Sequence, residues 1–577
     1  MMATPTRPRP VTLIALLGAM LVASSAFLGA DAPAGRTSYI VQGQDLDSLR
    51  SLVTEHGGEI SHELGVINAV AADLTADQVA ELRATKGVRR VWGNEAVEVA
   101  GKPTGPSSNG SSIVDTFYAS VVSGKALHLM GIDGRGVGIA VLDTGLWRHD
   151  GIRLDSRGQV RIRAVYNAIT NTLATSPLSG DDPGGHGSHV ASIALSSLMT
   201  ADGLYNGIAP GAHVVSVQAF NANGEGTYAD VIRAIDWVVS NRNTYGIRIL
   251  NLSFSAEPRS YYWDDPINQA VMAAWRAQVF VVAAAGNRGP NPMTIGVPGN
   301  VPYVMTVGAM TDNYTPGDPS DDTLATFSSA GPTYEGFVKP EVVAPGGHMK
   351  GLVQGNSTLA TTYPQYYYNS TYFEMSGTSQ ATAVVSGVAA LLLQALPSLS
   401  VDDLKCKLIA GARPAVAGKG GRQSLAYSVY QQGAGRVDAY RSITTGAVGC
   451  ANVGLNIGND IAGLQHFGGR TNQDTTSKFY LRGTLDTKES GYTWDGSYVG
   501  SNGYLWTDGY LWTDGYLWTD AFLWTDGTVG SNGYLWTDGY LWTDGYLWTD
   551  GYLWTDGYLW TDALTEMATM SGWVAPE

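Results

Sequence analysis

The chain has 577 residues, 44% hydrophobic and 15% charged, with a formal net charge of −16. That is a globular composition long enough for several domains, and an acidic chain without basic blocks argues against nucleic acid or anionic lipid as its main partner. The charge is uneven: from Ser490 onward there are 12 Asp or Glu and no Lys or Arg, so this tail carries most of it.

The first thirty residues read as an export signal. Arg7 and Arg9 form a positive end, Val11 to Leu28 is apolar, and Ala30-Asp31-Ala32 offers a small-x-small cleavage site. An uncleaved anchor is the alternative, because the apolar run approaches the length of a membrane span. Only two cysteines exist, Cys406 and Cys450. In an exported protein they read as one bridge, with two buried thiols as the alternative.

Residues 38–92 alternate as strand, helix, two strands, helix, strand. Thr75 is the expected N-cap of the second helix. This βαββαβ order is a ferredoxin-like pattern. A separate small domain with its own task is the alternative reading. The unit is assigned residues 33–92, after a signal at 1–32. A cleavable linker, 93–114, follows, and its 101–112 stretch is dominated by Gly, Pro and Ser.

From 115 to 450 strands and helices alternate, the pattern of a parallel α/β sheet with helices on both faces. Val137 to Leu142 is a buried strand ending in Asp143-Thr-Gly145. Gly185-His186-Gly-Ser-His189 opens a helix. Val279 to Ala285 is a strand ending in Gly286-Asn287. Met375-Ser-Gly-Thr-Ser379 is a tight turn running into a helix of small apolar residues, which implies burial on every side. Chemistry collects at the carboxyl ends of parallel strands. Alone, Ser379 reads as a capping serine.

Together, Asp143-Thr-Gly, His186-Gly-Ser-His-Val-Ala, Ala285-Gly-Asn287 and Gly377-Thr-Ser379-Gln-Ala resemble the four signatures of subtilisin-like serine peptidases, in that family's order. Gly433-Ala-Gly-Arg-Val-Asp-Ala439 extends the resemblance. It implies a serine endopeptidase with Ser379 as nucleophile, His186 as base, Asp143 orienting the imidazole, and Asn287 stabilising the oxyanion. Ser253, Gly226 and Gly286 are implied to line the substrate, which would bind as an added strand. His189 and His149 read as structural. Ser188, Ala383 and Ser255 depart from the family's usual Thr, Pro and Gly.

The resemblance also implies that 33–92 is an inhibitory propeptide acting in cis, with self-cleavage in 93–115. The chemistry needs no cofactor. A structural Ca²⁺ is known in the family, but Asp181-Asp182 and Asp318 to Asp322 read as solvated loops. Residues 451–490 read as a Gly-, Asn- and Thr-rich connector.

Residues 491–577 hold nine copies of Gly/Ala-Tyr/Phe-Leu-Trp-Thr-Asp in a six-residue period. A β meander and a hexapeptide solenoid both fit, with a disordered acidic tail as the alternative. Exposed Trp and Tyr suit a carbohydrate or a cell surface. The expected protein is thus a secreted, self-processed peptidase acting on proteins or peptides, with no membrane span after signal cleavage. A surface-binding repeat protein on a peptidase-like scaffold is the competing function.

Overall fold

The computed structural model describes residues 35–98, 102–103, 114, 116–200, 203–316, 318–417, 424–473 and 477–481, with short strands at 493–494, 505–506, 522–525 and 528–529. The expected signal segment and most of the hexad region lie outside the described residues.

The small unit contains β1 (Thr37–Gly43), α1 (Leu46–Glu55), β2 (Glu59–Leu64), β3 (Ala69–Leu74), α2 (Ala76–Ala84) and β4 (Val88–Gly93). Its antiparallel sheet runs β2-β3-β1-β4. Asp45 caps α1 through Ser48 N–H. Thr75 and Gln78 form a reciprocal capping box at α2. One face of the sheet buries Val41, Val70 and Val91 against Leu49, Val53, Val79 and Leu82. That core is small, so a unit of this size has marginal stability alone. Its other face rests on the larger unit: Ile40, Ala69, Ala71 and Trp92 belong to the main core.

The chain then forms β5 (Ala96–Glu98) and β6 (Lys102–Pro103). The larger unit is built on a nine-stranded, largely parallel sheet. In chain order its strands are β7 (Gly138–Asp143), β8 (Ile162–Asn167), β9 (Thr172–Leu173), β10 (His213–Gln218), β12 (Ile247–Leu252), β13 (Phe280–Ala284), β14 (Met305–Thr311), β15 (Thr323–Leu324) and β16 (Val342–Pro345). The spatial order is β15-β14-β13-β12-β7-β10-β8-β9, with β16 beside β14. Strands β7, β12, β13 and β14 are apolar along almost their whole length, as a sheet covered on both faces requires.

The covering helices include α3 (His186–Leu195), α4 (Tyr228–Tyr245), α5 (Pro266–Arg276), α6 (Thr378–Ala395) and α7 (Val401–Gly411). Helix α6 is the one described helix apolar and long enough to cross a membrane, and it is 89% buried within this fold. Gly387 lets it approach α3 closely: a Cβ there would meet Ile208 Cβ at 2.5 Å and the Ala194 carbonyl at 2.9 Å. Gly433-Ala-Gly-Arg-Val lies alongside β16, with Val343 N–H donating to Gly435 O and Val437 N–H to Val343 O.

Cys406 and Cys450 are bonded, with Cα atoms 5.2 Å apart. The bridge fastens Cys450, at the end of the larger unit, to α7. The first part of the expected connector packs against the larger unit. Asp460 is buried and accepts from the hydroxyls of Tyr262 at 2.6 Å and Tyr303 at 3.0 Å. Gly469 N–H donates to Glu335 O, and Thr471 N–H to Gly336 O. Gly- and Asn-rich composition here marks tight backbone approach: a Cβ on Gly469 would meet Gly336 O at 2.0 Å. Within the hexads, Leu505–Trp506 pairs with Ala415–Ala417, and Phe522–Thr525 pairs with His466–Gly468.

Glu335 carries a cost in this packing. One carboxyl oxygen accepts from Tyr262 N–H at 2.8 Å, while Oε2 has no hydrogen-bond partner. Burial pushes its pKa up to about 7. Its unfolded value is lower, so stability from this group is full below the carboxylate range and is lost as pH rises through about 7. Gln mimics the neutral acid. Glu335→Gln should therefore stabilise the protein on the order of 2 kcal/mol at about pH 8, with the gain vanishing near pH 4. Denaturant unfolding at the two pH values measures it.

Candidate active site

Asp143 is the last residue of β7, at the carboxyl edge of the sheet. It is 1% exposed, and its Oδ1 lies 2.7 Å from Nδ1 of His186, which is 3% exposed. The carboxylate can only accept, so the ring nitrogen carries the proton and the opposite nitrogen is left basic. Thr144 N–H also donates to Asp143 Oδ1, at 2.8 Å. Two donors on one oxygen fix the carboxylate plane.

His186 is the first residue of α3, and Gly185 before it has φ of +95°. A side chain at 185 would meet Ser357 Oγ at 2.8 Å, so glycine serves both the backbone and the space. Helix α3 packs directly on α6. One turn after His186, the His189 ring approaches Gln380 Nε2, at 3.4 Å. That pair brings the starts of the two helices together, with Ser379 beside Gln380.

Ser379 is fully buried in the first turn of α6. The first N–H groups of a helix have no partner inside it, and the helix dipole favours negative charge there. Ser379 Oγ donates to Ser253 O at 2.8 Å, and Ser253 Oγ donates to Ser379 O at 3.1 Å. Asn251 Nδ2 in turn donates to Ser253 Oγ, at 2.8 Å. The serine backbone is thereby held from the end of β12.

Asn287 completes the cluster. Its Oδ1 accepts from Thr378 N–H and Thr378 Oγ1, both at 2.9 Å. This fixes the amide orientation and leaves Nδ2 buried with no hydrogen-bond partner. An unpartnered buried donor is costly, and it suits a group meant to meet a transient negative charge. Gly286 has φ of +107°, and a Cβ there would meet Ser255 Oγ at 2.8 Å. Gly296 faces the same hydroxyl, so two glycines accommodate the serine at 255.

Gly226 lies on β11 (Glu225–Thr227) and pairs with Val97 of β5. The register is antiparallel: Glu225 with Glu98, Gly226 with Val97, Thr227 with Ala96. A Cβ at 226 would meet Ala219 O at 2.5 Å. Strands β17 (Met349–Leu352) and β18 (Tyr367–Tyr368) pair with β19 (Tyr372–Ser376), and β6 pairs with it too, Lys102 opposite Ser376 and Pro103 opposite Met375. Strand β19 leads directly into Ser379, so the chain after the small unit is fixed on both flanks of the site.

Two histidines set aside from the chemistry have structural places. His189 is completely buried, bonds the carbonyls of Met349 and Phe373, and is pushed down to about 3 by burial, with His186 adding to the effect. It is therefore neutral at any working pH. His149 caps a short helix through Gly151 N–H. The expectation of a solvated loop at Asp181-Asp182 fails for Asp182, which is fully buried and saturated with hydrogen bonds. Its sequence neighbourhood of Gly, Pro and Asp looks like any surface loop. Among the described residues, no group of three or more His, Cys, Asp or Glu is arranged to hold a metal ion.

Comparison with known proteins identifies the family. The subtilase family model matches residues 134–435. Serine protease AprX of Bacillus subtilis is 34% identical over 360 residues, covering 61% of this chain and 76% of that protein. Subtilisin E of the same species is 27% identical over 361 residues, covering 62% and 79%. Fervidolysin of Fervidobacterium pennivorans, a keratinolytic enzyme related to subtilisin, superposes with a TM-score of 0.54 at 21% identity. That match covers 72% of this chain and 62% of fervidolysin, and it bears on the fold alone. The chain belongs to the subtilase family and is a serine-type endopeptidase, a hydrolase acting on protein or peptide substrates.

Proposed function

We propose that this endopeptidase is exported as a zymogen, frees itself by self-cleavage, and works through Asp143, His186 and Ser379 with Asn287 at the oxyanion. The observation that carries the reading is the water-shielded Asp143–His186 hydrogen bond, together with the Asn287 amide that is bonded to Thr378, next to Ser379, and keeps Nδ2 unpartnered. As the oxygen attacks the substrate carbonyl, the Ser379 hydroxyl turns away from Ser253 O and gives its proton to His186. Asp143 keeps the ring oriented and stabilises the imidazolium. Asn287 Nδ2 and the Ser379 N–H receive the tetrahedral oxyanion. His186 then protonates the leaving amine, and water releases the acyl group by the same steps. Loss of the amide donor in Asn287→Ala should lower kcat about 10²–10³-fold with little change in KM. Steady-state kinetics on a peptide amide measures this.

The small unit supports a role as inhibitor in cis. It rests on α4 and α5, with Gly65 N–H bonded to Asp236 Oδ2 at 3.2 Å, Arg90 paired with Asp264 at 2.8 Å, and Gln42 bonded to Gln269 at 2.6 Å. The strand after it occupies the β11 edge that a substrate would pair with, and Val97 is fully buried there. A substrate would extend a sheet in the same way. Flanking strands at Glu98 and Lys102 bracket the bond to be cut. The mature N-terminus should therefore fall within 99–102 when read by mass spectrometry, and Ser379→Ala should remain full length. Processing of Ser379→Ala at the normal rate would contradict self-cleavage.

Export is supported by the Arg7 and Arg9 end followed by the apolar run from Val11 to Leu28. The Trp- and Tyr-rich hexads are proposed to attach the enzyme to carbohydrate or a cell surface.

A further inference from the structure

Asp182 lies four residues before His186, and the reaction steps above do not use it. It is buried completely. Its Oδ1 accepts from Thr144 Oγ1 at 2.7 Å and from Gly185 N–H at 2.8 Å. Its Oδ2 accepts from Ser188 N–H at 2.7 Å and from Ser188 Oγ at 2.6 Å. Each carboxyl oxygen thus takes two donors. Thr144 follows Asp143 in sequence, while Gly185 and Ser188 bracket His186.

Two more bonds close the frame. Gly187 N–H donates to Thr144 Oγ1 at 3.0 Å, and Trp147 N–H donates to Ser188 Oγ at 2.8 Å. Both hydroxyls therefore accept from backbone and donate to Asp182. Glycine at 187 permits the approach, since a Cβ there would meet Gly145 O at 2.3 Å and Asp143 Cβ at 3.1 Å. No side chain of the N-cap residue Gly185 serves the start of α3, and Asp182 supplies the acceptor instead.

We propose that Asp182 is a positioning residue for catalysis: it bolts the end of β7 to the first turn of α3, and so sets the direction of the Asp143–His186 hydrogen bond. This rests on the roles assigned above to Asp143, His186 and Ser379. A bond of that kind tolerates little error, because a misplacement of about 1 Å in a catalytic group can cost about 10²-fold in rate. Asn at 182 keeps the shape but replaces one oxygen with an NH₂ group. That group would face donors only, Thr144 and Gly185 on one side or Ser188 on the other.

The test compares full-length Asp182→Asn, Thr144→Val, Thr144→Ser and Ser379→Ala with the parent. Amidolysis of a chromogenic peptide is measured per titrated active site, together with the downfield proton resonance of His186 Nδ1–H. Asp182→Asn should lower kcat about 10²-fold with KM within about threefold, and should shift that resonance. Thr144→Val should lose about tenfold in kcat, and Thr144→Ser should recover most of it. If Asp182→Asn fails to fold, the Thr144 pair reads the same clamp. A parent-like kcat per active site and an unmoved resonance in Asp182→Asn, or equal kcat in Thr144→Val and Thr144→Ser, would overturn the inference. Retained amidolysis in Ser379→Ala would instead overturn the triad assignment beneath it.

Discussion

The contact on which the site depends is the 2.7 Å hydrogen bond between His186 and Asp143, closed off from water. A serine hydroxyl is a weak nucleophile at neutral pH and needs a base in a fixed tautomer at its side. Neither partner could be held this way on a mobile loop. Asp143 is placed by the last ladder position of β7, where Gln218 of β10 lies opposite it. His186 is placed by the start of a helix whose other turns are entirely buried. The parallel sheet sets the carboxylate, α3 sets the imidazole, and α6, packed on α3, carries Ser379 in its first turn. Hydrogen bonds satisfy Asp143 Oδ1, His186 Nδ1 and the Ser379 hydroxyl, whereas Asp143 Oδ2 and Asn287 Nδ2 are buried without one.

The same elements also hold the chain that precedes the larger unit. The edges at β11 and β19 offer backbone donors and acceptors to any extended segment. The strand following the small unit uses the first of them, and the short β6 uses the second. The small unit has little core of its own and shares Ile40, Ala69, Ala71 and Trp92 with the larger one. Removing it from the enzyme would expose apolar surface on both partners, which favours a unit that is ordered chiefly in place.

The placement of the site residues was legible in the sequence, because each sits where a change of local pattern marks a strand end or a helix start. Asp143, His186, Asn287 and Ser379 stand at strand ends and helix starts, and the periodicity around them locates those elements. The small βαββαβ pattern was equally plain, since its strands and the Thr75 cap follow local rules. Asp182 reads as solvated because a carboxylate in a Gly-Pro turn looks so until its four donors are seen; those donors come from Thr144 in one segment and from Gly185 and Ser188 in another. In the expected connector, 451–490, the packing of single residues was not legible: Gly469 lets the backbone press against Gly336, and Asp460 meets two tyrosine hydroxyls. Tertiary contacts decide such positions, and no periodicity reports them.

The central claim concerns which oxygen attacks, and what makes it reactive. It is tested most directly by treating the matured protein with a fluorophosphonate and locating the adduct by peptide mass spectrometry, in the parent and in His186→Ala. A single adduct on Ser379, formed orders of magnitude more slowly without the imidazole, is the predicted result. An adduct on another residue, or one on Ser379 that forms equally fast in His186→Ala, would contradict the account.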